Sequence, residues 1–229
     1  MRRTGTIRRQ SRSFTIAAVL VTGLSIVACA QEARLDPDTS ATVGVLASGC
    51  SLIESFGTGI SLSANLIATS AHTVAGATTV RVVDTGGDEH AAQVVGFDPQ
   101  RDVAVLMVET ALPHATLGPV EKGDTGALAT WHPDDGFARA DATVTRLLRV
   151  TIEDIYVEEL TERRALEIEA DVVRGDSGGP VFTADGEVAG IIYAASRNRE
   201  GIGFAVRSEE ISAVLEASGR RPVGNGHCP

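Results

Sequence analysis

The chain has 229 residues, of which 43% are hydrophobic but only 4% are aromatic, and its formal net charge at pH 7 is −10. This length allows one large domain or two small ones, with a core built mainly from aliphatic residues, and β-branched side chains favour strands. A surface this acidic repels a phosphate backbone, so the charge argues against nucleic acid as a partner. We therefore expect a soluble, strand-rich protein.

Residues 1–30 have the pattern of an export signal. Five arginines precede an apolar run from Phe14 to Ala28, which is too short to span a bilayer comfortably. Three interpretations stay open: ordinary cleavage after Ala30, a lipobox that leaves Cys29 lipidated and anchors the chain to a membrane, or an uncleaved anchor. Residues 31–41 are polar, contain a proline and are expected to form a tether.

The number of cysteines bears on this choice. The chain has three, Cys29, Cys50 and Cys228, and an odd cysteine in an exported protein needs a reason. If Cys29 carries lipid, Cys50 and Cys228 remain as a pair that ties the two ends of the folded domain together. The alternative, in which both thiols stay unpaired, suits an oxidising compartment less well.

The body of the chain shows two sets of six short strand-like runs separated by turn residues. Between the sets, residues 110–124 carry two prolines and two glycines without a clear period, and we expect them to connect two halves. The sequence predicts an all-β fold of two six-stranded antiparallel β-barrels, at about 42–112 and 122–207, within one domain at 42–229. The predicted strands are Thr42–Ala47, Gly57–Ser63, Asn65–Ser70, Thr78–Asp84, His90–Phe97, Val103–Glu109, Thr125–Trp131, Ala140–Val150, Arg164–Val172, Gly179–Thr183, Glu187–Ala194 and Gly203–Val206.

A short C-terminal helix is predicted at about 208–218. The apolar residues Ile211, Val214 and Leu215 recur at helical spacing. Ser208 is expected to cap the first turn and Gly219 to end the helix. We expect this helix to pack on the second barrel.

Residues 174–182 read RGDSGGPVF, a glycine-rich turn that holds Ser177. Alone, this turn is also compatible with an ordinary serine in a β-turn. His72 follows a strand-like run, and Asp102 directly precedes another, where a carboxylate costs free energy unless it is paired. Taken singly, these two also fit a surface histidine and a turn aspartate. Together, His72, Asp102 and Ser177 have the chain order of one known Ser-His-Asp arrangement on two barrels, and they predict an active site.

The blocks GTGISLSANLIATSAHTVAGATTVRV, RDVAVLMVE, GDSGGPVFTADGEVAGIIYAA and GIGFAV, which span most of residues 42–218, resemble trypsin-like (chymotrypsin-fold) bacterial serine proteases. Within that family the chain resembles the MarP-like periplasmic group, which also has a cysteine before the first barrel and another at the C-terminus, as Cys50 and Cys228 are here. We expect it to depart from that group by having no multi-span membrane region, and from HtrA proteases by having no PDZ domain.

The resemblance implies a serine endopeptidase that works through an acyl-enzyme. Ser177 is expected to be the nucleophile, His72 the general base and Asp102 the residue that orients His72. The backbone N–H groups of Gly175 and Ser177 are expected to form the oxyanion hole. Asp176 is expected to organise this turn through local hydrogen bonds.

The expected substrate-binding residues lie around this turn. Asp171 stands where the trypsin-like pattern places the floor of the specificity pocket, which implies Arg or Lys before the cleaved bond; the alternative is a surface aspartate. Tyr193, Ala194 and Ala195 are expected to pair with the substrate backbone by strand addition, and Gly203 to shape the pocket wall with Gly201.

No cofactor and no metal site are expected, because His90, His114, His132 and His227 lack the spacing of paired ligands. Trp131 is expected to be a packing residue. We expect a monomer that acts on protein or peptide substrates in the cell envelope or outside the cell. The alternative function is a catalytically silent binding or stress-sensing protein of the envelope, and a further hypothesis makes the Cys50–Cys228 pair a redox switch of the protease.

Overall fold

The computed structural model describes Met1 and residues 39–229, which form two closed six-stranded antiparallel barrels followed by a helix. The predicted export signal, the lipidation site at Cys29 and most of the tether lie outside the described residues. In the part of the chain that is described, no helix has the length and apolar character needed to cross a membrane. The predicted fold class is confirmed.

The first barrel runs in the order β1-β2-β3-β6-β5-β4 and closes because β4 pairs with β1. Its interior is aliphatic, with Val45, Ile67, Val82 and Leu106 at 0% exposure. One helical turn, α1 (Ala71–Val74), follows β3 and was not predicted. The strands are β1 Thr42–Ser48, β2 Ser55–Ser63, β3 Leu66–Thr69, β4 Thr79–Val83, β5 Glu89–Asp98 and β6 Val103–Val108.

The second barrel runs in the order β10-β11-β12-β9-β8-β7 and closes because β7 pairs with β10. Leu166, Ile168, Ile192 and Ala205 fill it and are fully buried. The strands are β7 Thr125–His132, β8 Gly136–Glu153, β9 Leu160–Glu169, β10 Pro180–Thr183, β11 Val188–Ala195 and β12 Ile202–Arg207.

Strand β8 is longer than predicted, with 18 residues. Its outer part pairs with β9 up to Glu153 opposite Leu160, beyond the point where side chains face the barrel core. Asp154 closes this hairpin by accepting hydrogen bonds from the backbone N–H groups of Tyr156 (3.0 Å) and Glu158 (3.1 Å). This extension is mostly exposed and has no clear apolar alternation, so the sequence pattern gave no sign of it.

The two barrels approach each other closely at Trp131. The indole is 6% exposed and packs against Leu46 and Val83 of the first barrel. A Cβ on Gly44 would lie 2.6 Å from the indole Cε3, so only glycine allows this approach. The prediction that Trp131 is a packing residue is confirmed.

The helix α2 (Ser208–Ala217) forms as predicted and buries Ile211 and Val214, but both predicted end signals were wrong. Ser208 is the first helical residue, and its hydroxyl donates to the carbonyl oxygen of Gly118 (2.8 Å). The helix ends at Ala217, and its C-cap Ser218 donates its hydroxyl to the Val214 carbonyl (2.7 Å); Gly219 does not adopt the left-handed conformation of a glycine cap. The Ser208 hydroxyl therefore bonds to the distant Gly118 carbonyl and not to the backbone of its own helix.

The C-terminal residues 223–228 form a strap across the first barrel. Cys228 forms a disulfide with Cys50, with 5.5 Å between the two Cα atoms. The Asn225 side-chain amide donates to the carbonyl oxygens of Val74 (2.8 Å) and Ala77 (2.9 Å). The strap therefore fixes the end of α1 and the turn that follows it.

Candidate active site

His72 lies on the single helical turn α1, directly after strand β3. Ala71 and Val74 on the same turn are fully buried, which fixes the turn against the barrel. The His72 side chain remains 32% exposed. The predicted base therefore stands on a short element that is anchored by its apolar neighbours.

Asp102 occupies the turn between β5 and β6 and holds His72 through two contacts. Its φ of 56° lies in the left-handed region, which aspartate tolerates better than most residues. Its buried carboxylate accepts hydrogen bonds from the His72 backbone N–H (3.0 Å) and from His72 Nδ1 (2.8 Å). Because an ionised carboxylate only accepts, we assign the proton to Nδ1, which leaves Nε2 as an acceptor.

Three influences set the pKa of His72. Burial is the largest and lowers the pKa, because it disfavours the charged imidazolium. The negative charge of Asp102 and its hydrogen bond together raise the pKa by more, while the charge of Arg163 lowers it. The net pKa is raised above the ordinary value for imidazole.

Arg163 is a buried cation behind this pair, and the sequence gave no sign of it. The residue is 3% exposed. Its guanidinium donates to the carbonyl oxygens of Arg101 (3.3 Å) and Glu153 (3.1 Å), and it lies 5.2 Å from the centre of the Tyr193 ring. It therefore joins the turn that carries Asp102 to the long hairpin of the second barrel.

Ser177 lies in the turn before β10, which is hydrogen-bonded to both barrels. Its carbonyl accepts from the backbone N–H of Thr58 (2.8 Å), and the next N–H, of Gly178, donates to the carbonyl of Ile192 (2.7 Å). Ser70, which directly precedes α1, donates its hydroxyl to the same Ile192 carbonyl (2.9 Å). One carbonyl thus joins the Ser177 turn to the base of the helix that carries the histidine.

The Ser177 hydroxyl makes no hydrogen bond to any residue among 39–229, so the structure brings Ser177 to the His72 helix without a direct Ser177–His72 bond. In ligand-free sites this contact is often long and tightens when substrate binds.

Two backbone N–H groups of the turn remain without an acceptor within residues 39–229. The N–H groups of Gly175 and Ser177 donate to no described residue, whereas the N–H of Asp176 between them donates to the Val173 carbonyl (3.2 Å). Gly175 has a φ of 105°, a conformation that favours glycine. Its carbonyl accepts from the Thr58 hydroxyl (3.2 Å), which turns that oxygen toward the first barrel. Both N–H groups are therefore available as hydrogen-bond donors, which the predicted oxyanion hole requires.

The predicted substrate edge has an unpaired side. Strand β11 pairs with β10 only as far as Ile191, but with β12 as far as Ala195 opposite Gly203. Within residues 39–229, the backbone of residues 193–195 therefore has no strand partner on the side of β10. The predicted strand addition of a substrate would use this unpaired side.

Asp171 lies on the surface, near the predicted pocket. Its Oδ1 is 3.7 Å from the position that a Cβ would take on Gly201. Its neighbour Val172 instead lies directly against Gly203, where a Cβ would be 3.4 Å from the Val172 Cβ. The structure therefore places an aliphatic side chain, with the carboxylate beside it, next to the predicted pocket wall.

Sequence reasoning missed the partner of Asp176. The Asp176 carboxylate accepts from the Val173 backbone N–H (2.7 Å), in agreement with the expected local hydrogen bond, and also contacts Nε2 of His132 (2.9 Å). The two residues are 44 positions apart on different strands and turns. No spacing rule connects them. In the part of the chain that the structure describes, no group of three or more His, Cys, Asp or Glu residues is arranged to hold a metal ion.

Comparisons with known proteins identify the family. The trypsin-like peptidase domain matches residues 57–191. The serine protease Rv3671c of Mycobacterium tuberculosis is 35% identical over 177 residues, which are 75% of this chain and 44% of that protein. A probable periplasmic DegP-like serine endoprotease of Halomonas elongata is 34% identical over 66% of this chain and 32% of its own length. The chain thus spans less than half the length of these relatives.

Solved structures agree with this assignment. The active form of the Rv3671c protease from M. tuberculosis superposes with a TM-score of 0.77 and 29% identity, over 85% of this chain and 93% of that one. An inactive form of the same protease gives a TM-score of 0.67 over 81% of this chain and 98% of that one. The chain belongs to the family of trypsin-like serine proteases.

Proposed function

We propose that this chain is a serine endopeptidase in which Ser177 attacks the peptide carbonyl, His72 accepts the serine proton and Asp102 holds His72 in place. The observation that carries the proposal is that the carbonyl of Ile192 is hydrogen-bonded both to the Ser177 turn and to the residue that precedes α1. Ile192 accepts hydrogen bonds from both sides of the site, and these place the Ser177 turn against the helix of His72. The better superposition on an active than on an inactive relative supports it.

The reaction follows from these positions. His72 Nε2 takes the proton from the Ser177 hydroxyl as the oxygen bonds to the substrate carbonyl carbon. The resulting oxyanion accepts from the N–H groups of Gly175 and Ser177, and Asp102 stabilises the imidazolium. His72 then gives its proton to the leaving amine. Water attacks the acyl-enzyme by the same steps and releases the second product.

Substrate would bind as an added strand along residues 193–195, and two side chains compete to define its specificity. If the Asp171 carboxylate reaches the substrate side chain, Arg or Lys before the cleaved bond is preferred. If Val172 forms the floor against Gly203, small apolar residues are preferred. A peptide library read by mass spectrometry, with Asp171→Ala beside the wild type, decides between them: loss of a basic preference in the variant supports Asp171.

We also propose that the protein is exported and acts in the envelope or outside the cell. Residues 1–30 have the composition of an export signal, and a disulfide between Cys50 and Cys228 suits an oxidising compartment. For the anchor, the mass of the mature N-terminus is the test. A diacylated Cys29 supports lipid anchoring, and an unmodified terminus at Gln31 supports free secretion.

The test of the activity is hydrolysis of an unfolded protein such as casein by the purified exported chain. The wild type should produce peptides, and Ser177→Ala and His72→Ala should not. Ser212→Ala changes a half-buried serine on α2 that contacts Glu216; it is the matched control and should retain full activity. A folded wild type that cleaves nothing would favour the alternative, a catalytically silent binding protein on the same fold.

A further inference from the structure

We propose that His132 is a positioning residue that holds the turn of residues 175–177 in its reactive shape through Asp176, so that Asp176 needs no partner ammonium group from a newly cut N-terminus. This inference rests on the proposed peptidase function. It concerns a contact between the end of strand β7 and the turn that carries the nucleophile.

The first observation is that the Asp176 carboxylate is buried and paired. Asp176 is 3% exposed, and burial of a carboxylate costs free energy unless its oxygens are paired. Its Oδ1 lies 2.9 Å from His132 Nε2, and its Oδ2 accepts from the Val173 N–H at 2.7 Å. Both oxygens are thus already engaged by groups of the same chain, so the buried carboxylate is paired without an ammonium group from a cut N-terminus.

The second observation is the place of the imidazole ring under the oxyanion donor. A Cβ on Gly175 would lie 2.8 Å from His132 Cε1 and would also collide with the ring of Phe56. The two rings meet edge to face, with centroids 5.8 Å apart and planes at 64°. The His132 ring therefore packs against Gly175 and also binds the carboxylate of Asp176.

Strand β7 holds the turn from a second side. The backbone N–H of Trp131 donates to the Thr58 hydroxyl (2.9 Å), and that hydroxyl donates to the Gly175 carbonyl (3.2 Å). Two successive residues of one barrel strand thus hold the turn: Trp131 acts through Thr58 on the Gly175 carbonyl, and His132 contacts the Asp176 carboxylate. Because β7 is paired along its length with β8 and also with β10, it is a rigid support.

Loss of the His132–Asp176 contact should change the rate of reaction and leave the rest of the fold in place. Without it, the uncompensated carboxylate of Asp176 moves toward water and takes the Gly175 and Ser177 N–H groups with it. Misplacement of reacting groups by about 1 Å can cost about 10²-fold in rate. Binding of the substrate backbone along residues 193–195 involves another strand and should be unaffected. The loss should therefore appear in kcat and not in KM.

The experiment uses the exported full chain and measures kcat and KM on one peptide substrate. His132→Ala should lower kcat by about 10²-fold with KM within about threefold. His132→Gln retains an N–H donor toward Asp176 and should recover about tenfold of that loss. The matched control is His90→Ala, because His90 Nε2 makes a similar contact with Asp84 (2.8 Å) on the β4–β5 hairpin, away from the site; it should retain wild-type kinetics.

Asp176→Asn keeps the shape of the side chain and serves if His132→Ala fails to fold; it should lower kcat in the same way. Equal kcat in wild type, His132→Ala and Asp176→Asn would overturn the inference while leaving the proposed function intact. A higher kcat in His132→Ala would also overturn it, since the contact would then hold a resting shape. Intact mass of the active wild type should show no cut within residues 42–60; activity that appears only after such a cut contradicts the proposal. A wild type without any activity removes the proposed function and this inference with it.

Discussion

The two halves of the site are built in different ways. The first barrel supplies His72 and Asp102, which touch directly through side chains and share two hydrogen bonds. The second barrel supplies Ser177 and its N–H donors on a turn whose shape depends on backbone angles and on the Asp176 contact. One half is thus a pair of side chains, and the other is a backbone conformation.

This difference determines how each half fails. The His72–Asp102 pair depends on the identity of one carboxylate, and a conservative change there leaves the fold intact. The Ser177 turn depends on glycine at positive φ, as at Gly175 and Gly178, so the addition of a single methyl group is enough to deform it. We therefore expect substitutions in the first barrel to remove a chemical group, and substitutions in the second barrel to distort the backbone of the turn.

The largest effect is expected from Asp102→Asn. Asparagine tolerates the left-handed conformation at this position, so the thermal midpoint should change little. The amide no longer fixes the proton on His72 Nδ1, and kcat should fall by about 10⁴-fold. Steady-state kinetics and calorimetry on the same preparation check both parts.

Asp84→Asn is the control for that change, because Asp84 also pairs with a histidine but lies outside the site. It should leave kcat as in the wild type. A loss of less than tenfold in Asp102→Asn would mean that His72 does not depend on this carboxylate.

The next effect is expected from Gly175→Ala. Its φ of 105° strains any side chain, and the new Cβ would collide with Phe56 and His132. Displacement of one oxyanion donor should lower kcat by about 10²- to 10³-fold. Gly123→Ala is the matched control, because Gly123 has a φ of 96° but no atom within 4 Å of an added Cβ. It should lower stability and leave kcat unchanged. Equal kinetics in the two variants would contradict the assigned hole.

Opening the disulfide should affect stability more than chemistry. The double variant Cys50→Ser, Cys228→Ser releases a loop with a sequence separation of 178 residues, and the free energy of unfolding should fall by about 2–5 kcal/mol. The strap holds the end of α1 through Asn225, so the His72 side should loosen first. Denaturant unfolding and proteolysis of the strap measure this; an unchanged midpoint would mean that the bond is idle.

The smallest effect concerns pH. Because the pKa of His72 is raised by Asp102 against the opposing effect of burial, kcat/KM should fall with acidification already above the ordinary imidazole pKa. The charge of Arg163 lowers this pKa, so Arg163→Met should move the acid limb to higher pH. Arg149→Met, an exposed residue on the same hairpin, should not move it. A shift to lower pH in Arg163→Met would contradict the electrostatic role.

The sequence allowed the prediction of the barrels and of the three candidate catalytic residues, because these leave local signals. Alternating aliphatic runs mark the strands, and the GDSGG turn marks Ser177. The His132–Asp176 and Arg163–Arg101 contacts join residues 44 and 62 positions apart, and nothing in local sequence reports such distances. The predicted cap at Ser208 was wrong for the same reason, since its acceptor, Gly118, lies 90 residues away.

The most direct test of the assembled site is the intact mass of the exported protein after treatment with a fluorophosphonate probe, with Ser177→Ala beside it. A serine reacts with such a probe only when base and oxyanion donors are in place. We predict one adduct on the wild type and none on Ser177→Ala. A folded wild type without an adduct, or an adduct that persists in the variant, would contradict the assignment of Ser177 as the nucleophile.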